Sequence, residues 1–205
     1  MTAAAFENCI KAGGVVVFAS ETVYGLACDP LSRVAVERLY ALKGRAGDKP
    51  AAVMFFSLES ALTALPELGA RVRAALAALL PGAVTLLLPN PRRRFPLACA
   101  SDPLTLGLRV PLLPALVGVR VPVLQSSANR AGEPDARRLA AVPEAIREGA
   151  DLVLDGGTLP GMPSTVVDLR AYEDHGRWSV LRDGAVPAAA VGTVLNPTSS
   201  GEPRP

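Results

Sequence analysis

Three cations fall within seven residues, at Lys43-Gly44-Arg45 and Lys49-Pro50. Phosphates and carboxylates are held by ammonium point charges combined with fork-shaped guanidinium donors. The stretch therefore reads as an anion site or, alternatively, as a solvated basic loop. Lysine scarcity favours the first: the chain has 18 Arg and only 3 Lys, two of them here. In Thr105-Leu-Gly-Leu-Arg109-Val-Pro111 an arginine stands between apolar residues. A half-buried guanidinium needs an anionic partner, either a protein Asp or Glu or a bound ligand. Ser126-Ser127-Ala128-Asn129 closes an apolar run, and α/β sheets bind ligands at such strand ends. Ser20-Glu21-Thr22-Val-Tyr24-Gly25 offers hydroxyls that either bind a ligand or cap a turn. Gly156-Gly157, Ser164-Thr165 and Arg182-Asp-Gly184 form further small-residue and basic punctuation. Walker and GxGxxG loops are absent. The single histidine, His175, sits in a polar Glu-Asp-His-Gly loop and reads as solvent-exposed; with no GxSxG elbow, a Ser-His-Asp triad is not expected. Asp151, Asp155 and Asp168 are too dispersed to read as paired catalytic carboxylates.

These residues need a scaffold of alternating strands and helices. Strands are predicted over residues 15–18, 51–56, 84–88, 106–110, 121–124, 152–154, 165–168 and 179–181. Helices are predicted over a short N-terminal stretch, 34–43, 68–80, near 112–117, and over 137–148 with a break at Pro143. The alternation implies an α/β layer structure. Short connectors between the last three strands imply that part of the sheet is antiparallel. From Pro187 the chain becomes rich in Ala, Gly, Pro and Ser and is expected to form a flexible tail over 187–205, leaving 1–186 as one catalytic domain.

Composition narrows the class. With 205 residues, 50% hydrophobic and a net charge of +2, whole-chain disorder is excluded. Cys9, Cys28 and Cys99 are odd in number and widely spaced, so reduced thiols and a cytoplasmic location are expected. The uncharged run 74–91 is broken by Pro81-Gly82, so it reads as a helix end and a strand, not a membrane span. Arg92-Arg93-Arg94 is a local basic patch or a solvated loop, and the small net charge argues against a general nucleic-acid surface.

In order, Glu21-Thr-Val-Tyr-Gly-Leu26, Lys43-Gly-Arg45 with Lys49-Pro50, Pro81-Gly-Ala-Val-Thr85, Gly107-Leu-Arg-Val-Pro111, Ser127-Ala-Asn129, Ser164-Thr-Val-Val-Asp168 and Leu181-Arg-Asp-Gly184 resemble the YrdC-type threonylcarbamoyl-adenylate synthase family. The resemblance runs from Gly13 to about Val186 and is to the short form, without a C-terminal accessory domain. It implies an open, twisted mixed sheet with a concave ligand face. It also implies condensation of L-threonine, bicarbonate and ATP to threonylcarbamoyl-AMP and pyrophosphate, with Mg2+ arriving on ATP and no dedicated metal site. A separate tRNA threonylcarbamoyl-transferase complex would act downstream, with tRNA or double-stranded RNA as a further partner and no membrane. By the same resemblance, Lys43 and Arg45 are catalytic. Arg45, Lys49, Thr105, Ser127, Asn129 and Arg182 hold ATP, and Thr22, Arg109 and Ser164 hold threonine. Three positions depart from the family: Ala19 for proline, Met54 for a threonine-contacting histidine, and Asp135 for a hydroxyl.

Two other readings compete. One is a carbamoyl-adenylate-forming relative of hydrogenase-maturation carbamoyltransferases, whose acylphosphatase-like and zinc-finger regions this chain lacks. The other is a non-enzymatic RNA-binding or ribosome-associated protein, for which the intact K-x-R and S-x-N motifs would be unnecessary.

Overall fold

Burial alternates along the strands and divides the sheet into two faces. Val15 and Val17 belong to one apolar cluster, while Val16 and Phe18 belong to another. A period of two in side-chain direction produces this split. The computed structural model describes residues 2–44, 47 and 49–196. Among these residues nine strands form one sheet: β1 (Val16–Ala19), β2 (Tyr24–Cys28), β3 (Ala52–Met54), β4 (Val84–Pro89), β5 (Thr105–Arg109), β6 (Val123–Ser127), β7 (Leu152–Leu154), β8 (Thr165–Asp168) and β9 (Ser179–Arg182). Their spatial order is β7-β1-β2-β6-β3-β5-β4-β8-β9. The pairs β1/β7, β3/β5 and β4/β8 are parallel and the remaining neighbours antiparallel, so the sheet is mixed, as expected.

The helices are α1 (Thr2–Lys11), α2 (Arg33–Lys43), α3 (Leu58–Ala64), α4 (Ala70–Leu79), α5 (Pro96–Cys99), α6 (Glu144–Gly149), α7 (Tyr172–His175) and α8 (Ala188–Leu195). Residues from α2, α3, α4, α6 and α8, including Leu39, Ala61, Leu76, Ile146 and Val191, pack with the larger cluster on one sheet face. On the other face, Phe6 and Ile10 of α1 and Leu116 of a 3-10 turn pack against Val16, Phe18, Met54 and Val123. That cluster covers the β1–β3 part of its face; over β5, β4 and β8 the same face carries Thr105, Gly107, Arg109, Thr85, Leu87 and Val166, which line a cavity.

Local chemistry explains several boundaries. Ser32 Oγ accepts from Ala35 N at 3.3 Å and starts α2. Gly44, with φ +58°, takes the left-handed conformation that ends it. Pro143 immediately precedes α6, and a 3-10 turn at Leu139–Ala141 replaces the first half of the predicted helix.

Three expectations fail. Tyr24–Cys28, where no strand is expected, is a fully buried strand. The last three strands are not consecutive neighbours: β7 pairs with β1, six strands away from β8, so residues 155–164 form a long crossing and not a short turn. The expected tail from 187 contains α8, whose Val191 is fully buried and whose Leu195 carbonyl accepts from Tyr172 Oη at 2.8 Å. Its small residues let a helix lie close on the core where composition alone suggested a flexible segment. Residues 197–205 lie outside the described residues.

Candidate functional site

The cavity holds about 380 Å³, a size usual for small-molecule sites. Its most buried charge is Arg109, at the end of β5 and 3% exposed. Arg109 Nη1 donates to Gln125 Oε1 at 3.0 Å, and Nη2 donates to the Ser20 carbonyl at 3.4 Å and lies 3.8 Å from Glu21 Oε2. The alternatives left open for its partner thus resolve partly to a protein carboxylate. The guanidinium is not saturated, however: Nε is buried and unpartnered among the described residues, and so is Thr22 Oγ1. Buried donors without acceptors are costly, and two on one cavity wall indicate a ligand that completes them. Burial pulls the Arg109 pKa down to about 10, with Glu21 opposing the shift and Arg182 adding to it. Burial also raises Glu21, while the Leu112 N–H and Arg109 pull it back. Glu21 adopts φ +78°, a strained conformation for a non-glycine residue, and accepts from Leu112 N at 3.2 Å.

Thr85 Oγ1 and Ser164 Oγ lie 2.8 Å apart on the same wall. Arg182 Nη2 donates to the Ser164 carbonyl at 2.7 Å. Arg182 reaches this wall because β9 carries an irregularity: Val167 faces Val180, yet Val166 faces Arg182, so Leu181 is the extra residue. In a regular ladder Leu181 would stand opposite Val166 and Arg182 would point to the other face. Leu181 is instead pushed outward and is 56% exposed.

Among the expected site residues, Thr22, Thr105, Arg109, Ser127, Ser164 and Arg182 converge on the cavity. Lys43 and Asn129 are not among the described residues lining it; both are buried beside Ser127. Lys49 is exposed and adjoins the cavity only through its neighbour Pro50. Arg45 lies outside the described residues. Met54 is fully buried in the apolar cluster beneath α1 and is not among the residues lining the cavity. Asp135 does line the cavity, where it joins Asp102 as a second carboxylate. His175 is exposed, as expected, but on the one-turn α7 and not in a loop.

Sequence reasoning missed Gln125, Asp102 and Arg170. Arg170 lines the cavity, donates to Asp168 from Nη2 at 2.6 Å, and lies 3.4 Å from Thr105 Oγ1. This contact holds Asp168 below the usual carboxylate range, chiefly through the Arg170 hydrogen bond. The alternation of β8 and β5 was the available signal: Val166 with Asp168, and Thr105 with Arg109, share one face.

Comparison with known proteins adds identity to this geometry. A threonylcarbamoyl-AMP synthase of Stutzerimonas stutzeri is 35% identical over 169 residues, covering 80% of this chain and 90% of that protein. The crystal structure of P. abyssi Sua5 complexed with L-threonine is 28% identical, with a TM-score of 0.80, and covers 93% of this chain. This chain spans only 56% of that longer protein. The E. coli YciO structure, 23% identical with a TM-score of 0.76, shares the fold. A Sua5/YciO/YrdC family model, described as "Telomere recombination", matches residues 8–184. A match of that extent, on a chain whose K-x-R and S-x-N motifs are intact, means that the protein belongs to the Sua5/YciO/YrdC family.

Proposed function

We propose that the protein is an L-threonylcarbamoyladenylate synthase. The observation that carries the reading is the pair of unsatisfied buried groups, Arg109 Nε and Thr22 Oγ1, on the wall of a cavity in this family's fold. The donors suit an amino-acid carboxylate, and Ser164 completes that end of the cavity beside Thr85. Thr105, Ser127 and Arg182 bound the part that receives ATP. In the reaction, the threonine amine attacks CO2 derived from bicarbonate, loses a proton and becomes a carbamate. The carbamate oxygen then attacks the α-phosphorus of ATP, the bond to the β-phosphate oxygen breaks, and pyrophosphate leaves. No protein nucleophile is required. The side chains hold three anionic reactants together and compensate their charge, which is catalysis by proximity and fixed electrostatics. Asp102 and Asp135 supply hard oxygen donors of the kind that magnesium carried in with ATP accepts. Transfer to tRNA by a separate enzyme complex, and operation in the cytoplasm, belong to the same reading. Among the described residues no helix is long and apolar enough to cross a membrane.

Pyrophosphate release from ATP in bicarbonate buffer, followed with and without threonine, tests this reading. Threonine-dependent release is expected. Release indifferent to threonine overturns it, and turnover with carbamoyl phosphate in its place assigns the carbamoyl-adenylate chemistry instead.

A further inference from the structure

Lys43 is the last residue of α2 and is 2% exposed. Its ammonium donates to the backbone carbonyl of Ser127, to that of Asn129 at 2.9 Å, and to Asn129 Oδ1 at 3.0 Å. These three acceptors all belong to one short turn. The grip is returned by the backbone, since Ala131 N donates to the Lys43 carbonyl at 2.9 Å.

The network fixes its own protons. An ammonium cannot accept, so the Asn129 atom facing it is the amide oxygen, which leaves the amide nitrogen to donate to the Glu133 carbonyl. An amide oxygen cannot donate, so in the 2.6 Å contact between Ser127 Oγ and Asn129 Oδ1 the serine is the donor. The Ser127 proton is therefore committed to the protein, and the hydroxyl lone pairs are left for the cavity that Ser127 lines.

The geometry points to Lys43 as a positioning residue: it orients the Ser127 hydroxyl through Asn129 and does not itself touch the nucleotide. The affinity test of this role rests on ATP being a substrate, as proposed above; the exchange test does not.

Dissociation constants for ATP are measured by calorimetry for the wild type, Lys43→Met, Ser127→Ala and the double variant, with thermal unfolding confirming that each is folded. Each single change is expected to weaken ATP by about threefold to tenfold, the value of one neutral hydrogen bond from a ribose hydroxyl or the adenine amino group to the Ser127 oxygen. The double variant is expected to be no weaker than the weaker single variant, because both remove the same contact. Losses that multiply overturn the proposal, as does a scalar coupling in the wild type between the Lys43 ammonium and a phosphorus of bound ATP. Amide hydrogen exchange of Lys43→Met without nucleotide decides the matter independently. Faster exchange over residues 128–133, with α2 still protected, supports the role; unchanged exchange there overturns it. A wild type that binds no ATP overturns the functional reading alone.

Discussion

Arg109 shows how a single residue can be structural and functional at once. Its Nη atoms are tied to Gln125, Ser20 and Glu21, which fixes the direction of the guanidinium, and its Nε is spared. From the sequence it was legible that this arginine needed an anion. The identity of Glu21 was not, because a contact between the β1–β2 connection and the end of β5 exists only after the sheet assembles. Lys43 stands out by its rarity, but its acceptors, two backbone carbonyls and the Asn129 amide oxygen, lie more than eighty positions away in the chain and meet it only after the sheet forms. Gly107 makes a sharper case. It alternates with Thr105 and Arg109, so a side chain there points into the cavity, yet an added Cβ would come no closer than 3.5 Å to any protein atom. An added methyl there meets only ordinary van der Waals contacts in the protein while taking up cavity space. Gly107→Val should leave the melting temperature nearly unchanged while weakening ligand binding by about tenfold or more, a loss of the order expected when a filled volume displaces a ligand. Parallel calorimetry and thermal unfolding check both halves.

At the scale of elements, strands with strong apolar runs were readable, and their boundaries shifted by at most three residues. Those that failed did so for physical reasons. Residues 24–28 include Gly25 and Ala27, which carry little apolar signal; at Gly25 an added Cβ would fall 2.9 Å from Gln125 Nε2. The placement of β7 against β1 depends on Asp151, whose Oδ2 accepts from Val15 N and from Arg38 Nη1, each at 2.7 Å. The Val15 N–H, followed by the Arg38 hydrogen bond, holds this carboxyl below its ordinary value. A folded pKa below the unfolded one gives stability that is present above the unfolded pKa and lost as pH falls through the folded one. Asp151→Asn should therefore cost about 1 kcal/mol at neutral pH, a modest figure because the pair is partly exposed. The difference from wild type should shrink as the solution is acidified below the ordinary carboxylate range. Chemical denaturation at a series of pH values measures it.

For the molecule as a whole, the crossing segment 155–164 matters most. The segment turns at Gly157 and Gly161, with φ of +76° and +82°. It is fastened along the way: Tyr24 Oη lies 2.6 Å from Asp155 Oδ1, Leu159 N donates to the Arg137 carbonyl, and Gly161 N donates to that of Thr22, a cavity residue. Tyr24→Phe removes the first fastening without altering the buried ring. Amide exchange should quicken over 155–164, and the KM for threonine should rise by about threefold to tenfold, the value of one hydrogen bond, with kcat less affected. Equal loss in kcat would show that the segment does more than hold the threonine end. The sheet order also sets when the cavity can exist. Its floor is laid by β5 and β4, but Ser164, Val166, Arg170 and Arg182 are contributed by the last part of the chain. A chain still emerging from the ribosome has made β1 to β6 and has nowhere to dock the edge of β4 until β8 is synthesised. Such distant pairings are formed slowly. The ligand site is thus among the last features of this sheet to form, and a nascent chain lacks its complete wall until β8 and β9 have been made.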